Sequence, residues 1–280
     1  MSAPSAGLSI PGYQQNPPAQ IEELLANPPR LHRARDFNPA DDPAAEDNLL
    51  ADWGIQKSFL RLMVGLLTPA SHTLETGSGL STICMAIAGC DHVCISPIQK
   101  EHNRIQRYCS EHGISTGRIR FIPMTSDAVL PSLDLRGRKL DFALIDGSHA
   151  FPDPFIDYYY VNRHLKVGGL LAVDDLNISS VGLLHSFLVT DSAYEIVKID
   201  EFKTGLYRKV RETSYPRGWL DQKFNSKYPD FSFLDFGMRV RQRLQPLEWR
   251  VRNGLGKVPG LRHAYHWIKN SSKRRKRVSV

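Results

Sequence analysis

"T-L-E-T-G-S-G-L-S", residues 73–81, is the stretch whose reading decides the fold. An apolar-flanked run ends in Glu75 and turns through Gly77, Ser78 and Gly79 into a helical pattern. A dinucleotide fingerprint reads G-x-G-x-x-G, each glycine admitting backbone to a pyrophosphate at a helix N-terminus. Here the third glycine position is Thr82, and Glu75 would repel a pyrophosphate. The turn suits a ligand that is cationic at the end it presents.

Working outward, strands and helices alternate. Residues 72–76 read as a strand, 80–88 as a helix and 92–96 as a strand. A helix is predicted from Pro97, with Ser96 and Gln99 as a capping box, to about residues 112–113. "R-I-R-F-I-P-M" (118–124) is a strand, followed by a short helix after Ser126–Asp127. "L-D-F-A-L-I-D" (140–146) and "L-L-A-V-D-D" (170–175) are apolar strands ending in acids. Between them a helix is predicted from Asp153–Pro154 to a left-handed cap at Gly168–Gly169. A helix over 181–189 and a strand pair, "Y-E-I-V-K-I-D" and "G-L-Y-R-K-V", close the unit near residue 210. Strands apolar throughout and separated by helices imply a parallel sheet covered on both faces.

On the amino side, apolar residues recur at helical spacing over 49–67. The first 48 residues hold 8 of the 18 prolines and read as irregular, with a short helix at 21–26. Charge divides the chain. Residues 1–210 carry 19 Lys and Arg against 24 Asp and Glu, a net −5; residues 211–280 carry 17 against 5, a net +12. No apolar run is long enough to span a bilayer, and no secretory signal is visible, so the cytoplasm is the expected compartment. Cys84, Cys90, Cys94 and Cys109 lack metal-site spacing and read as buried free thiols.

In open parallel sheets, ligands bind beyond the carboxyl ends of the strands. Those ends carry Glu75, Ser96, Asp146 and the pair Asp174–Asp175. "L-E-T-G-S-G-L-S-T", then "L-D-F-A-L-I-D-G-S-H", then "L-K-V-G-G-L-L-A-V-D-D", resembles the S-adenosylmethionine-dependent class I methyltransferases. The likeness is to the branch with I-D-G-x-H after its fourth strand, which includes metal-assisted O-methyltransferases. It covers about residues 49–210.

The resemblance implies a doubly wound, mostly parallel seven-stranded sheet of Rossmann-like α/β class, with an N-terminal segment (1–48) and a basic C-terminal extension (211–280). It implies S-adenosylmethionine as cofactor, its methionine end lined by Glu75, Gly77, Ser78, Gly79 and Ser81. Ser96 stands where the family usually has the acid that holds the ribose hydroxyls; the nearest acid, Glu101, is a turn into the helix. Ser126 and Asp127 occupy the region that meets adenine, and Asp146 borders the same pocket.

Methyl transfer to oxygen needs a base for the hydroxyl proton, or a metal that lowers its pKa. His149, aided by Asp146, fits the first role. Asp146, Asp174 and Asp175 match the family's metal positions, and oxygen-only ligands favour Mg²⁺ or Ca²⁺ over zinc. The expected function is O-methylation of a small molecule or sugar. Two alternatives are a nicotinamide-dependent oxidoreductase, which Glu75 and Thr82 oppose, and a non-catalytic member of the fold that binds a partner through its tail. In that tail Val240, Leu244, Leu247 and Val251 form an apolar stripe among arginines, and "K-R-R-K-R" follows at 273–277. Such a segment suits an anionic membrane surface or an acidic partner. No nucleic-acid-binding motif accompanies the charge.

Overall fold

The computed structural model describes residues 13–14, 18–32, 54–213, 222–226, 236–238 and 240. Helix α1 (Ala19–Ala26) and α2 (Lys57–Gly65) precede β1 (His72–Thr76), α3 (Leu80–Ile87), β2 (Asp91–Ile95), α4 (Gln99–Glu111) and β3 (Ile119–Ile122). Then come α5 (Ser126–Val129), β4 (Leu140–Ile145), α6 (Asp153–His164), β5 (Leu165–Val173), α7 (Ser179–Leu188), β6 (Tyr194–Asp200) and β7 (Thr204–Lys209).

The seven strands form one sheet in the order β3-β2-β1-β4-β5-β7-β6. β1 to β5 are parallel, and β7 enters antiparallel to both β5 and β6. This is the doubly wound, mostly parallel α/β sheet expected from the sequence. Alternation along each strand feeds two apolar layers. Phe142 and Leu144 of β4 pack with α1 to α4 through Leu25, Phe59, Met63, Ile83 and Ile105. Ala143 and Ile145 pack on the opposite face with Tyr158, Val161, Leu184 and Leu188 of α6 and α7.

Three boundaries differ from expectation. Helix α2 begins at Lys57, since residues 54–56 are not helical; residues 33–53 lie outside the described part. Ser96 caps nothing: α4 begins at Gln99 with Ile98 at its N-cap and no side-chain cap. Helix α6 stops at His164, and Gly168–Gly169 lie inside β5 rather than capping the helix. The apolar Leu165 ends one element and begins the next, which the glycine signal obscured.

The N-terminal segment is more than an irregular leader. Ile21, Leu24, Leu25 and Leu31 are buried in the same layer as α2 and α3. The four cysteines are buried and free, and burial pushes the Cys90 and Cys109 thiols up to about 11. No helix among the described residues is long and apolar enough to cross a membrane. The chain divides into two compact units, Met1–Phe224 and Asn225–Val280; the apolar stripe beyond Val240 and the basic run at 273–277 lie outside the described residues.

Candidate functional site

The sheet order reverses direction between β1 and β4, which opens a crevice at their carboxyl ends. Thr76 pairs with Ile95 and Ile145, and Ile145 pairs with Val173. The residues that follow, Gly77, Ser96, Asp146 and Asp174, therefore stand side by side along one rim.

Gly77 is held here by its N–H bonding to the carbonyl of Ile95 at 2.8 Å. Its φ is +100°, and a Cβ would lie 2.1 Å from the carbonyl oxygen of Asp146. Both facts demand glycine. Gly79 differs: its φ of 171° is ordinary extended backbone, and a Cβ would meet only the His32 ring, at 3.2 Å.

Glu75 and Ser81, expected at the methionine end of the cofactor, bond to each other. Glu75 is buried beneath the loop, where Oε2 accepts from Ser81 Oγ at 2.6 Å and Oε1 accepts from Thr82 Oγ1. His92 Nε2 lies 3.1 Å from the same Oε1, and its Nδ1 pairs with Thr73 Oγ1 at 2.8 Å. Thr82 Oγ1 also accepts from Gly79 N–H at 3.0 Å, capping α3. Burial works against the Glu75 charge, but His92 and the two hydroxyls outweigh it and hold the carboxyl below its usual range. The carboxylate thus braces the glycine turn from below. The hydroxyl at position 82, where a dinucleotide fold has its third glycine, is one of the braces.

The acid that faces the loop is Glu101. Its Oε2 accepts from Ser78 Oγ at 2.9 Å, and its Oε1 pairs with His32 Nδ1 at 2.7 Å. Arg104 Nη1 donates to the Leu31 carbonyl at 2.5 Å, tying the strand of chain that carries His32 to α4. His32 was not legible in the sequence, because it lies some 45 residues before the turn it covers with no motif around it. Ser96 is buried at the end of β2 without a carboxylate of its own. Ser126 opens α5 and Asp127 is exposed beside it.

Across the crevice, His149 Nε2 lies 3.1 Å from Asp175 Oδ2. Ser180 Oγ donates to the His149 carbonyl at 2.5 Å and fixes its loop against α7. Asp175 has a φ of +58°, strained for a residue with a Cβ and characteristic of functional turns. Asp146, His149 and Asp175 each bring a ligand atom within 4.8 Å of the others. Asp174 does not join them. Its Oδ1 accepts from Thr204 Oγ1, and its Oδ2 lies 3.5 Å from Lys203 Nζ. Lys203 Nζ also lies 3.4 Å from Asp175 Oδ1 and donates to the Gly54 carbonyl at 3.0 Å.

Of the expected set Asp146, Asp174 and Asp175, the first and last stand together with His149 in a group that could hold a metal ion, and an ammonium stands against Asp174 and Asp175. Burial, then the charges of Asp174 and Asp175, push the Asp146 carboxyl well above its usual range, while Lys203 pulls it back. Burial also raises Asp174, against the Thr204 hydroxyl and Lys203. Lys203 is raised: burial disfavours its charge, but the two aspartates more than compensate. Lys203 lies in the turn between β6 and β7, three residues past Asp200, and carried no sequence signal.

Residues 74–176 match a family described as a methyltransferase domain, a span that begins within β1 and ends just past Asp175. That span of the chain is similar to the family's methyltransferase domain. The glycine turn, strands β2 to β5 and the paired acids fall inside the matched span, whereas β6 and β7 lie beyond it. Solved structures with a similar fold include the O-methyltransferase TomG from Streptomyces achromogenes, involved in tomaymycin synthesis and in complex with SAM, at 16% identity over 71% of this chain and 92% of that chain, TM-score 0.49. The SAH-bound methyltransferase PaMTH1 from Podospora anserina is 12% identical over 57% and 82%, TM-score 0.48. An rRNA methylase from Streptococcus thermophilus is 14% identical over 55% and 93%, TM-score 0.42. No curated protein matches the sequence.

Proposed function

We propose that the methyltransferase domain transfers a methyl group from S-adenosylmethionine to a hydroxyl oxygen of a small molecule or sugar, with His149 taking the proton. The observation that carries this is the His149–Asp175 pair, 3.1 Å apart, on the crevice rim that also holds the Gly77–Gly79 turn.

The chain's residues fit the cofactor. Gly77 closes against the Asp146 backbone, an approach only glycine admits, and this sets the turn of Gly77, Ser78 and Gly79 at the crevice rim where the cofactor's methionine end would lie. Glu101, steadied by Ser78, supplies a carboxylate for a ribose diol in place of an acid at the end of β2. The cofactor supplies a methyl group already activated on sulfonium. What the protein adds is alignment and one proton transfer. His149 takes the hydroxyl proton as the acceptor oxygen bonds to the methyl carbon, and the Asp175 carboxylate, 3.1 Å from Nε2, stabilises the imidazolium that forms.

The nicotinamide reading loses ground to the family match at 74–176. Calorimetry with S-adenosylmethionine, its demethylated product and NAD tests the cofactor; preference for NAD would sink the proposal. Release of demethylated product over a panel of hydroxyl acceptors tests the rest. On any acceptor found, His149→Ala is expected to lower kcat by about 10²–10⁴-fold with little change in cofactor affinity. An unchanged kcat rules out His149 as the base.

A further inference from the structure

We propose that Lys203 is the resident cation of the acceptor site, occupying the role that a divalent ion would otherwise take among the aspartates. Three contacts hold it. Its ammonium lies 3.5 Å from Asp174 Oδ2 and 3.4 Å from Asp175 Oδ1, and it donates to the Gly54 carbonyl at 3.0 Å. The backbone delivers it deliberately: Glu201 and Phe202 both have positive φ, at +47° and +56°, and the turn closes with Lys203 N–H on the Asp200 carbonyl at 2.9 Å. The Lys203 carbonyl in turn accepts from Leu176 N–H at 2.8 Å, so the β6–β7 turn is stitched to the segment leaving β5.

The consequences follow from charge. A carboxylate cluster without a counter-cation resists ionisation, and either a metal or a fixed ammonium can relieve it. Asp175 turns one oxygen toward Lys203 and the other toward His149, so the ammonium and the imidazole share its carboxyl group. Lys203 is thus a positioning residue: it holds the carboxylate that holds the imidazole. The same charge opposes entry of Mg²⁺ or Mn²⁺, even though Asp146, His149 and Asp175 have ligand atoms within reach of a common point. Removing the ammonium should uncover a latent divalent site.

The proposal takes the location of the acceptor from the methyl-transfer reading, but its test needs no turnover, so either can fail alone. Free Mn²⁺ is followed by its solution EPR signal as full-length protein is added. The wild type is expected to leave the signal intact at about 1 mM ion. Lys203→Met is expected to take up one Mn²⁺ at least ten-fold more tightly, and a further Asp175→Asn to abolish that uptake. Lys203→Arg, which keeps the charge, should behave as wild type. Thermal midpoints give a second readout: Mn²⁺ raises that of Lys203→Met and not that of the wild type. Micromolar Mn²⁺ binding by the wild type overturns the proposal, and this measurement stands even if Lys203→Met does not fold. Failure of a folded Lys203→Met to bind Mn²⁺ overturns it equally.

Discussion

At the scale of single residues, the two glycines of the turn are not equivalent. Gly77 has positive φ and backbone 2.1 Å from where a Cβ would sit, so the clash cannot be relieved by a side-chain rotation. Gly77→Ala is expected to cost several kcal/mol and to abolish cofactor binding. Gly79→Ala meets only the end of a histidine ring and should keep a thermal midpoint near that of the wild type. Equal loss in both would refute this reading. The motif "T-G-S-G" was legible as a turn, but which glycine is obligatory depends on the approach of β4, which no local spacing reveals. Glu75 teaches the same lesson. Its place before the turn was plain in the sequence, whereas its partners His92, Ser81 and Thr82 meet only once β1, β2 and α3 are packed.

Asp157 gives a second residue-scale prediction. It is buried in α6, both oxygens lack a well-formed hydrogen bond, and burial raises its carboxyl from 3.8 to about 6 although Ser126 and Thr76 nearby pull it down. A carboxyl raised on folding binds its proton more tightly in the folded state, so its favourable contribution is full below pH about 4 and is lost as pH rises through about 6. Two pK units correspond to about 3 kcal/mol. Asp157→Asn should therefore raise stability by up to ~3 kcal/mol at pH 8 and by little at pH 4, read from denaturant midpoints. A gain that is the same at both values would exclude a titration origin.

At the scale of elements, the strands were legible because each is an apolar run ending in a turn or an acid, and helices were legible between them. What escaped was the contribution of the N-terminal segment. Its prolines read as irregular, yet α1 buries Ile21, Leu24 and Leu25 against α2 and α3, and the chain then places His32 over the turn. Leu25→Ala is expected to cost about 2–5 kcal/mol in chemical denaturation, as for a core residue of any large domain. A cost below ~1 kcal/mol would show that α1 is only loosely docked. Helix α4 supplies the complementary prediction. Glu101, proposed to take the ribose where Ser96 has no charge, sits in the first turn of the helix. Glu101→Gln keeps the shape and loses the charge-assisted bonds, so affinity for S-adenosylmethionine should fall by about 10–100-fold. Calorimetry showing less than two-fold change would return the role to another group.

At the scale of the whole chain, charge and fold are separated along the sequence. Residues 225–280 hold 14 Lys and Arg against 3 Asp and Glu, and removing them turns the net charge of +7 into −4. The sheet, the glycine turn and the acids all lie in the unit Met1–Phe224. A chain ending at residue 224 is therefore expected to keep the cofactor affinity and thermal midpoint of the full chain. We propose that the basic segment instead meets an anionic surface, through its arginine-flanked apolar stripe and the run "K-R-R-K-R". Exposed charges act over about 10 Å at 0.1 M salt and about 3 Å at 1 M, so such binding must weaken steeply with ionic strength. Cosedimentation with vesicles containing phosphatidylserine should retain the full chain at 50 mM salt, release most of it at 1 M, and never retain the shortened chain. Neutral vesicles provide the control: retention there, insensitive to salt, would assign the contact to the apolar stripe alone. Equal behaviour of the two chains on anionic vesicles would remove the basic segment from any account of membrane contact.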